Sequence, residues 1–243
     1  VLPWKRFKKI MFFSANKLTG GYGGVNIIED CSFNVNQGEI VSILGPNGAG
    51  KSTAMKAMLG ILNLNEGNIF FDGHDITKLK TQDRIKLGIS FVPQIKNIFT
   101  ELTVQENLEM GAFLSESNID SKVEEMFSLF PIIKEKKDQI AGELSGGQRQ
   151  QVAIGRALMT DPKVLMLDEP TAGVSPVIMD ELFQHIINIK KQNIAILMVE
   201  QNARQALEIS DRGYILVSGK NAYEGKGEYL LNDSEIKKAF LGG

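Results

Sequence analysis

Gly45 to Thr53 read "GPNGAGKST", a spacing of glycines, a lysine and hydroxyls suited to holding a triphosphate. Residues 45–52 fit G-x-x-x-x-G-K-[ST], in which small residues let successive backbone N–H groups wrap a β-phosphate. The helix expected next aims the positive end of its dipole at the same anion. Lys51 is placed to reach the β- and γ-phosphates, and the Ser52 hydroxyl to ligate Mg2+. Pro46, Asn47, Gly48, Ala49, Gly50 and Thr53 complete the candidate ATP-binding run. A second stretch, "KVLMLDE", ends on Asp168 and Glu169. An apolar strand there delivers two carboxylates at the C-terminal end of a sheet, where α/β folds bind ligands. Asp168 is expected to hold Mg2+ through water, and Glu169 to orient and polarise an attacking water. A third stretch, "LSGGQ", runs from Leu144 through Ser145, Gly146 and Gly147 to Gln148. At a helix N-terminus these residues make a second anion site.

Such groups need a rigid frame. Residues 11–18 and 31–37 read as short strands, and "EIVSILG" as a strand buried on both faces of a parallel sheet. "KSTAMKAMLGIL" has helical periodicity, with Met55, Met58 and Leu59 on one side. "GNIFFDG" reads as a strand, and so does "GISFVPQ", ended by Pro93. From Leu102 to about Leu129 the pattern is helical, closed by Pro131. The segment from about 95 to 160 is thus expected to be a helical subdomain inserted in an α/β core. Beyond residue 145, helix and strand alternate: "GGQRQQVAIGRALMT", "KVLMLDE", "PVIMDELFQHIINIKK", "IAILMVE", "QNARQALEI" and a hairpin turning at Gly219. Alternating β and α with apolar strands predicts a mostly parallel sheet flanked by helices.

Composition narrows the classes of function. The chain has 243 residues, 43% of them hydrophobic, enough for a substantial core. With 27 basic and 29 acidic side chains, charge gives no reason to expect a nucleic acid partner. Cys31 is the only cysteine, so no intrachain disulfide is possible, and it reads as a small core or edge residue. No apolar run approaches the ~20 residues that cross a bilayer, so the chain is expected to be soluble by itself. Residues 1–10, "VLPWKRFKKI", read as a disordered N-terminal extension or a membrane-surface anchor, with one large domain over 11–243.

The order of these motifs, with "LSGGQ" as signature, resembles the ATP-binding-cassette family from residue 20 to residue 201. The resemblance implies a P-loop NTPase core with an N-terminal antiparallel β subdomain. It implies ATP and Mg2+ as ligands, and a signature turn that caps the γ-phosphate held by a partner subunit. ATP then joins two cassettes and hydrolysis releases them. Tyr22 in "GGYGG" matches the aromatic residue that stacks on adenine. Gln94 matches the glutamine that touches Mg2+ and links the core to the helical insert. Two positions depart from the pattern. Ser175 stands where the family usually has Asp, and Gln201 where most members carry a His at the γ-phosphate. Glutamine donates a hydrogen bond but cannot become cationic. His74 and His185 read as surface or packing residues.

"VEQNARQALEISDRGYILVSG" and the "AFLGG" ending are similar to the smaller ATPase of branched-chain amino-acid importers and of related amide or urea importers. That branch often has Glu where this chain has Gln94. The likeness implies a second, non-identical cassette, membrane permease subunits, an indirectly acting substrate-binding protein, and a place at the cytoplasmic face of the membrane. Lipopolysaccharide-export ATPases share the ending and size but typically keep His at the Gln201 position. Soluble cassette ATPases usually carry two cassettes or a long coiled coil, and neither appears here. A GTPase reading has only "NKLT" at 16–19, which lacks the guanine-reading Asp and precedes the phosphate loop.

Overall fold

The structure, a computed structural model, describes residues 11–114 and 118–240. The expectation for residues 1–10 lies outside the described residues. The chain opens with a hairpin, β1 (Phe13–Tyr22) and β2 (Val25–Val35), turning at Gly23 and Gly24 with φ of 59° and 82°. Both turn positions need positive φ, which glycine adopts at no steric cost. The strands therefore differ from the expected 11–18 and 31–37: "GGYGG" extends β1 to Tyr22, and β2 runs back to Val25 and stops at Val35. β3 (Ile40–Leu44) leads into α1 (Lys51–Met58). This helix is shorter than its sequence periodicity predicts, because the chain turns at Gly60, φ 74°. β4 (Leu64–Phe71) and β5 (His74–Asp75) complete an antiparallel sheet in the order β2-β1-β4-β5.

α2 (Thr81–Lys86) and β6 (Ile89–Val92) follow. Then come the helices α3 (Val104–Gly111), α4 (Ile119–Leu129), α5 (Pro131–Lys134) and α6 (Gly146–Leu158). Pro131 closes the helical stretch as expected, since α4 stops at Leu129 and Phe130 leaves the helical region. Pro131 itself is the first residue of α5, where its missing N–H has no intrahelical partner to lose. The rest alternates as read: β7 (Val164–Asp168), α7 (Pro176–Lys190), β8 (Ala195–Val199) and α8 (Ala203–Ile209). A hairpin of β9 (Arg212–Val217) and β10 (Lys220–Lys226) turns at Ser218 and Gly219. The chain ends in α9 (Gly227–Asn232) and α10 (Ser234–Phe240), which the hydrophobic pattern had not suggested.

The second sheet has the order β10-β9-β3-β8-β7-β6, parallel except for β10. Its central strands β3, β7 and β8 are buried throughout, so each must be apolar on both faces. The period of two sorts their side chains. Ile40, Leu44, Leu165, Leu167, Ile196 and Met198 join the core that includes α3–α8. Val41, Ile43, Val164, Met166, Leu197 and Val199 join the core shared with α1 and the antiparallel sheet. Each such burial favours folding by roughly 1.5–3 kcal/mol. Ser42 and Asp168 are the polar exceptions, and the Ser42 Oγ lies 2.6 Å from that of Ser210. Cys31 is fully buried as expected, donating its S–H to Gly219 O at 3.0 Å, and burial pushes its pKa up to about 11.

Register decides what this frame presents. Ile43 pairs with Val199, and Val199 with Asp168, so three strand ends lie level. The loop after β3, the carboxylates after β7 and Glu200–Gln201 after β8 therefore emerge side by side.

Candidate functional site

The phosphate loop starts from Gly45, φ 147°, where a Cβ would stand 2.3 Å from Leu216 O. Gly50, φ 97°, is the N-cap of α1, so this corner tolerates no other side chain without strain. The first N–H groups of α1 have no intrahelical acceptor, as at any helix start. Lys51 is 5% exposed, and its Nζ donates to Gly45 O at 2.9 Å and Pro46 O at 3.2 Å. The ammonium thus sits within its own loop, beside a cavity of about 170 Å³ lined by Ile27, Asn47–Thr53 and Glu169.

The Ser52 hydroxyl donates to Asp168 Oδ1 at 2.9 Å, joining the helix start to the end of β7. Asp168 is buried, and burial is the main cause of its raised pKa, with the Glu169 charge acting in the same direction. A buried carboxylate in that state gains from a nearby cation. Ser52 and Asp168 bring together a hydroxyl and a carboxylate, hard oxygen donors of the kind that suits Mg2+ alongside phosphate oxygens. The residues fit the ion.

Glu169 is left-handed, φ 50°, a conformation costing a non-glycine residue about 1–3 kcal/mol. Its N–H continues the ladder to Val199 O at 2.9 Å, so the strand holds the backbone while the turn redirects the carboxylate. Two amides meet that carboxylate. Gln94 Nε2 donates to Oε2 at 2.6 Å, and Gln201 Nε2 donates to the same oxygen at 2.8 Å. Oε1 accepts no hydrogen bond among the described residues and is free to meet a water. Gln201 lies just before α8, since Asn202 rather than Gln201 forms the helix start by capping Gln205 N–H.

Ser145, Gly146, Gly147 and Gln148 stand at the start of α6, as expected. A local reading explains part of the motif: Ser145 Oγ accepts from Gln148 N–H at 3.3 Å, and Gln148 Oε1 accepts from Ser145 N–H at 3.0 Å. This capping box occupies the Gln148 side chain, while the Ser145 hydroxyl keeps its own proton to donate. Leu144 is buried beneath the turn. The glycines differ. A Cβ on Gly146 would meet only Gly173 O and Val174 at ordinary distances, whereas one on Gly147 would lie 2.2 Å from Ile178 Cγ2. Gly147→Ala is therefore expected to destabilise the fold by about 1–3 kcal/mol, and Gly146→Ala to leave it unchanged, as read from urea midpoints. Equal midpoints for both would contradict this packing.

The cavity at the loop is lined neither by Tyr22 nor by any residue from Leu144 to Gln148. Tyr22 ends β1 at the hairpin tip with its ring half exposed. The signature turn instead abuts Gly173 and Val174, in the segment leaving Glu169. Ser175 precedes α7 as its N-cap without a side-chain hydrogen bond to the helix. His74 is exposed, and His185 packs its ring 4.8 Å from that of Phe130, so both keep the packing or surface roles expected of them.

Thr171 and Glu200, both buried, were missed in the sequence. "AILMVE" carries the available signal, an apolar strand ending on an acid as "VLMLDE" does. Among the described residues no group of three or more His, Cys, Asp or Glu is placed to hold a metal, and no helix is long and apolar enough to cross a membrane.

Comparison with known proteins agrees with this geometry. Residues 28–172 match the family described as ABC transporter. The chain is 38% identical over 231 residues to the high-affinity branched-chain amino acid transport ATP-binding protein BraG of Pseudomonas aeruginosa, covering 95% of this chain and 99% of that one. It is 36% identical over 233 residues to the lipopolysaccharide export system ATP-binding protein LptB of Escherichia coli, with 94% and 96% covered. Among solved structures, the ADP conformation of MJ1267, an ATP-binding cassette of an ABC transporter, superposes with a TM-score of 0.84 at 31% identity, covering 96% of this chain and all of that one. An α/β core with level strand ends, an antiparallel subdomain and a matching family over most of its length make this chain an ATP-hydrolysing cassette of the ABC transporter family.

Proposed function

We propose that this cassette powers import of branched-chain amino acids, or of related amides or urea, through membrane permease subunits at the cytoplasmic face. The observation that carries the reading is likeness to BraG along nearly the whole chain, together with glutamine rather than histidine at position 201. The similar identity to LptB favours a second reading, a lipopolysaccharide-export ATPase. The importer reading brings a second, non-identical cassette and a substrate-binding protein that acts through the permease.

The nucleotide is gripped by Gly45–Thr53, with the Lys51 ammonium exchanging loop carbonyls for phosphate oxygens. Tyr22 stacks on adenine, a contact worth about 1–3 kcal/mol. Ser52, Asp168 and Gln94 would hold Mg2+, which would supply neutralisation of the phosphate charge. Glu169 takes the proton of the attacking water, with Gln94 and Gln201 fixing its carboxylate. The turn Leu144–Gln148 closes on the triphosphate of the other cassette. The helical insert, around residues 95–115, docks on the permease. In its support, Ile61, Ile85, Phe99, Met110 and Phe113 line an apolar groove of about 350 Å³, with Phe113 85% exposed.

Reconstitution tests the substrate. In vesicles with the permeases and binding protein, leucine, isoleucine or valine, or a small amide, is expected to stimulate ATP turnover and to accumulate inside. Turnover stimulated only by lipopolysaccharide, without uptake of any of these solutes, would replace the importer reading with the exporter.

A further inference from the structure

We propose that Glu200 is a positioning residue for hydrolysis: its buried carboxylate ties Thr171 to Gln201 and so fixes where the Glu169 carboxylate stands. This rests on Glu169 being the residue that activates water. Glu200 follows β8 directly and is 2% exposed. Its N–H donates to Ile43 O at 3.2 Å, anchoring it to the strand that leads into the phosphate loop. Its Oε1 accepts from the Thr171 N–H at 3.0 Å and from the Thr171 hydroxyl at 2.8 Å. Its Oε2 accepts from the Gln201 N–H at 3.2 Å.

These contacts close a circuit. Gln201 donates through its side chain to Glu169 Oε2, and Glu169 precedes Thr171 by two residues. Glu169, Thr171, Glu200 and Gln201 thus form one ring of covalent and hydrogen bonds, which deforms less easily than separate contacts. Filling this space needs no charge. A buried acid without a cationic partner is unfavourable, and burial is the first cause of the raised Glu200 pKa. The carboxylate supplies what an apolar side chain lacks: two acceptor oxygens aimed at two different loops. One of these loops carries Glu169 and runs on to Gly173 beside the signature turn, so the same residue sets both.

ATP turnover of the full chain in its assembled transporter tests the proposal, with rates normalised to nucleotide-binding sites. Glu200→Ala is expected to lower kcat about tenfold or more while the KM for ATP stays within about twofold. Glu200→Gln, which keeps one oxygen for Thr171, retains more turnover than Glu200→Ala. In a Gln201→Ala background, Glu200→Ala costs less than in the wild type, because both act through one linkage. An unchanged kcat for Glu200→Ala, or an equal fold-loss in both backgrounds as for a merely structural residue, overturns the proposal. Should Glu200→Ala not fold, Glu200→Gln and Thr171→Val decide: wild-type kcat in both overturns it, and a lowered kcat at constant KM in Thr171→Val supports it. A fully active Glu169→Gln removes the premise and the proposal with it. An inactive Glu169→Gln beside an unaffected Glu200→Ala overturns the proposal alone.

Discussion

Glu169→Gln is expected to bind ATP as the wild type does and to hydrolyse it at least ~10²-fold more slowly, the scale of a lost general base. The amide keeps the shape of the side chain and can still accept from Gln94 or Gln201 through its oxygen. It cannot take a proton from water. With hydrolysis blocked, the ATP-bound state accumulates, and gel filtration with ATP should show two cassettes travelling together, alone or with the partner ATPase. A strictly monomeric, fully active variant would show that Glu169 is not the base.

Lys51→Ala is expected to weaken ATP binding by about tenfold to a hundredfold, the loss of a charge-assisted hydrogen bond of roughly 1.5–3 kcal/mol. The side chain is buried within its loop, where Gly45 O and Pro46 O hold it in place. Removing it takes away the cation proposed to face the β- and γ-phosphates and leaves two carbonyls without their donor. Fluorescence titration with a labelled nucleotide reads the change. An unaltered affinity would place the triphosphate elsewhere.

The parts of the site legible in the sequence are those written in consecutive residues. Gly45–Thr53 carries its own turn, lysine and hydroxyl, and "VLMLDE" carries both its burial and its acids. Helix α6 announces its start through Ser145 and Gln148. The meeting of Gln94 and Gln201 on one oxygen of Glu169 could not be read this way. It depends on β6, β7 and β8 lying adjacent with Asp168 level with Val199, a matter of strand order and register. Thr171 and Glu200 were hidden for the same reason, since each is ordinary until the other is opposite. The difference between Gly146 and Gly147 needed the position of α7, which supplies Ile178. At the other end, the first strand was expected only over residues 11–18, yet it continues to Tyr22, and the last two glycines of "GGYGG" form the hairpin turn. Helices α9 and α10 are short, and most of their residues are solvent-facing, so they left little apolar periodicity to find.

The proposed function turns on a triphosphate shared between two cassettes, and within one chain the Ser145 turn does not line the cavity beside the phosphate loop. An experimental structure of the Glu169→Gln protein with ATP and Mg2+, in its two-cassette assembly, measures this directly. The γ-phosphate should lie between Lys51 Nζ of one cassette and the Ser145 turn of the other, each at hydrogen-bond distance of about 3 Å. A structure in which both triphosphates are fully bound while the Ser145 turn faces solvent would contradict it.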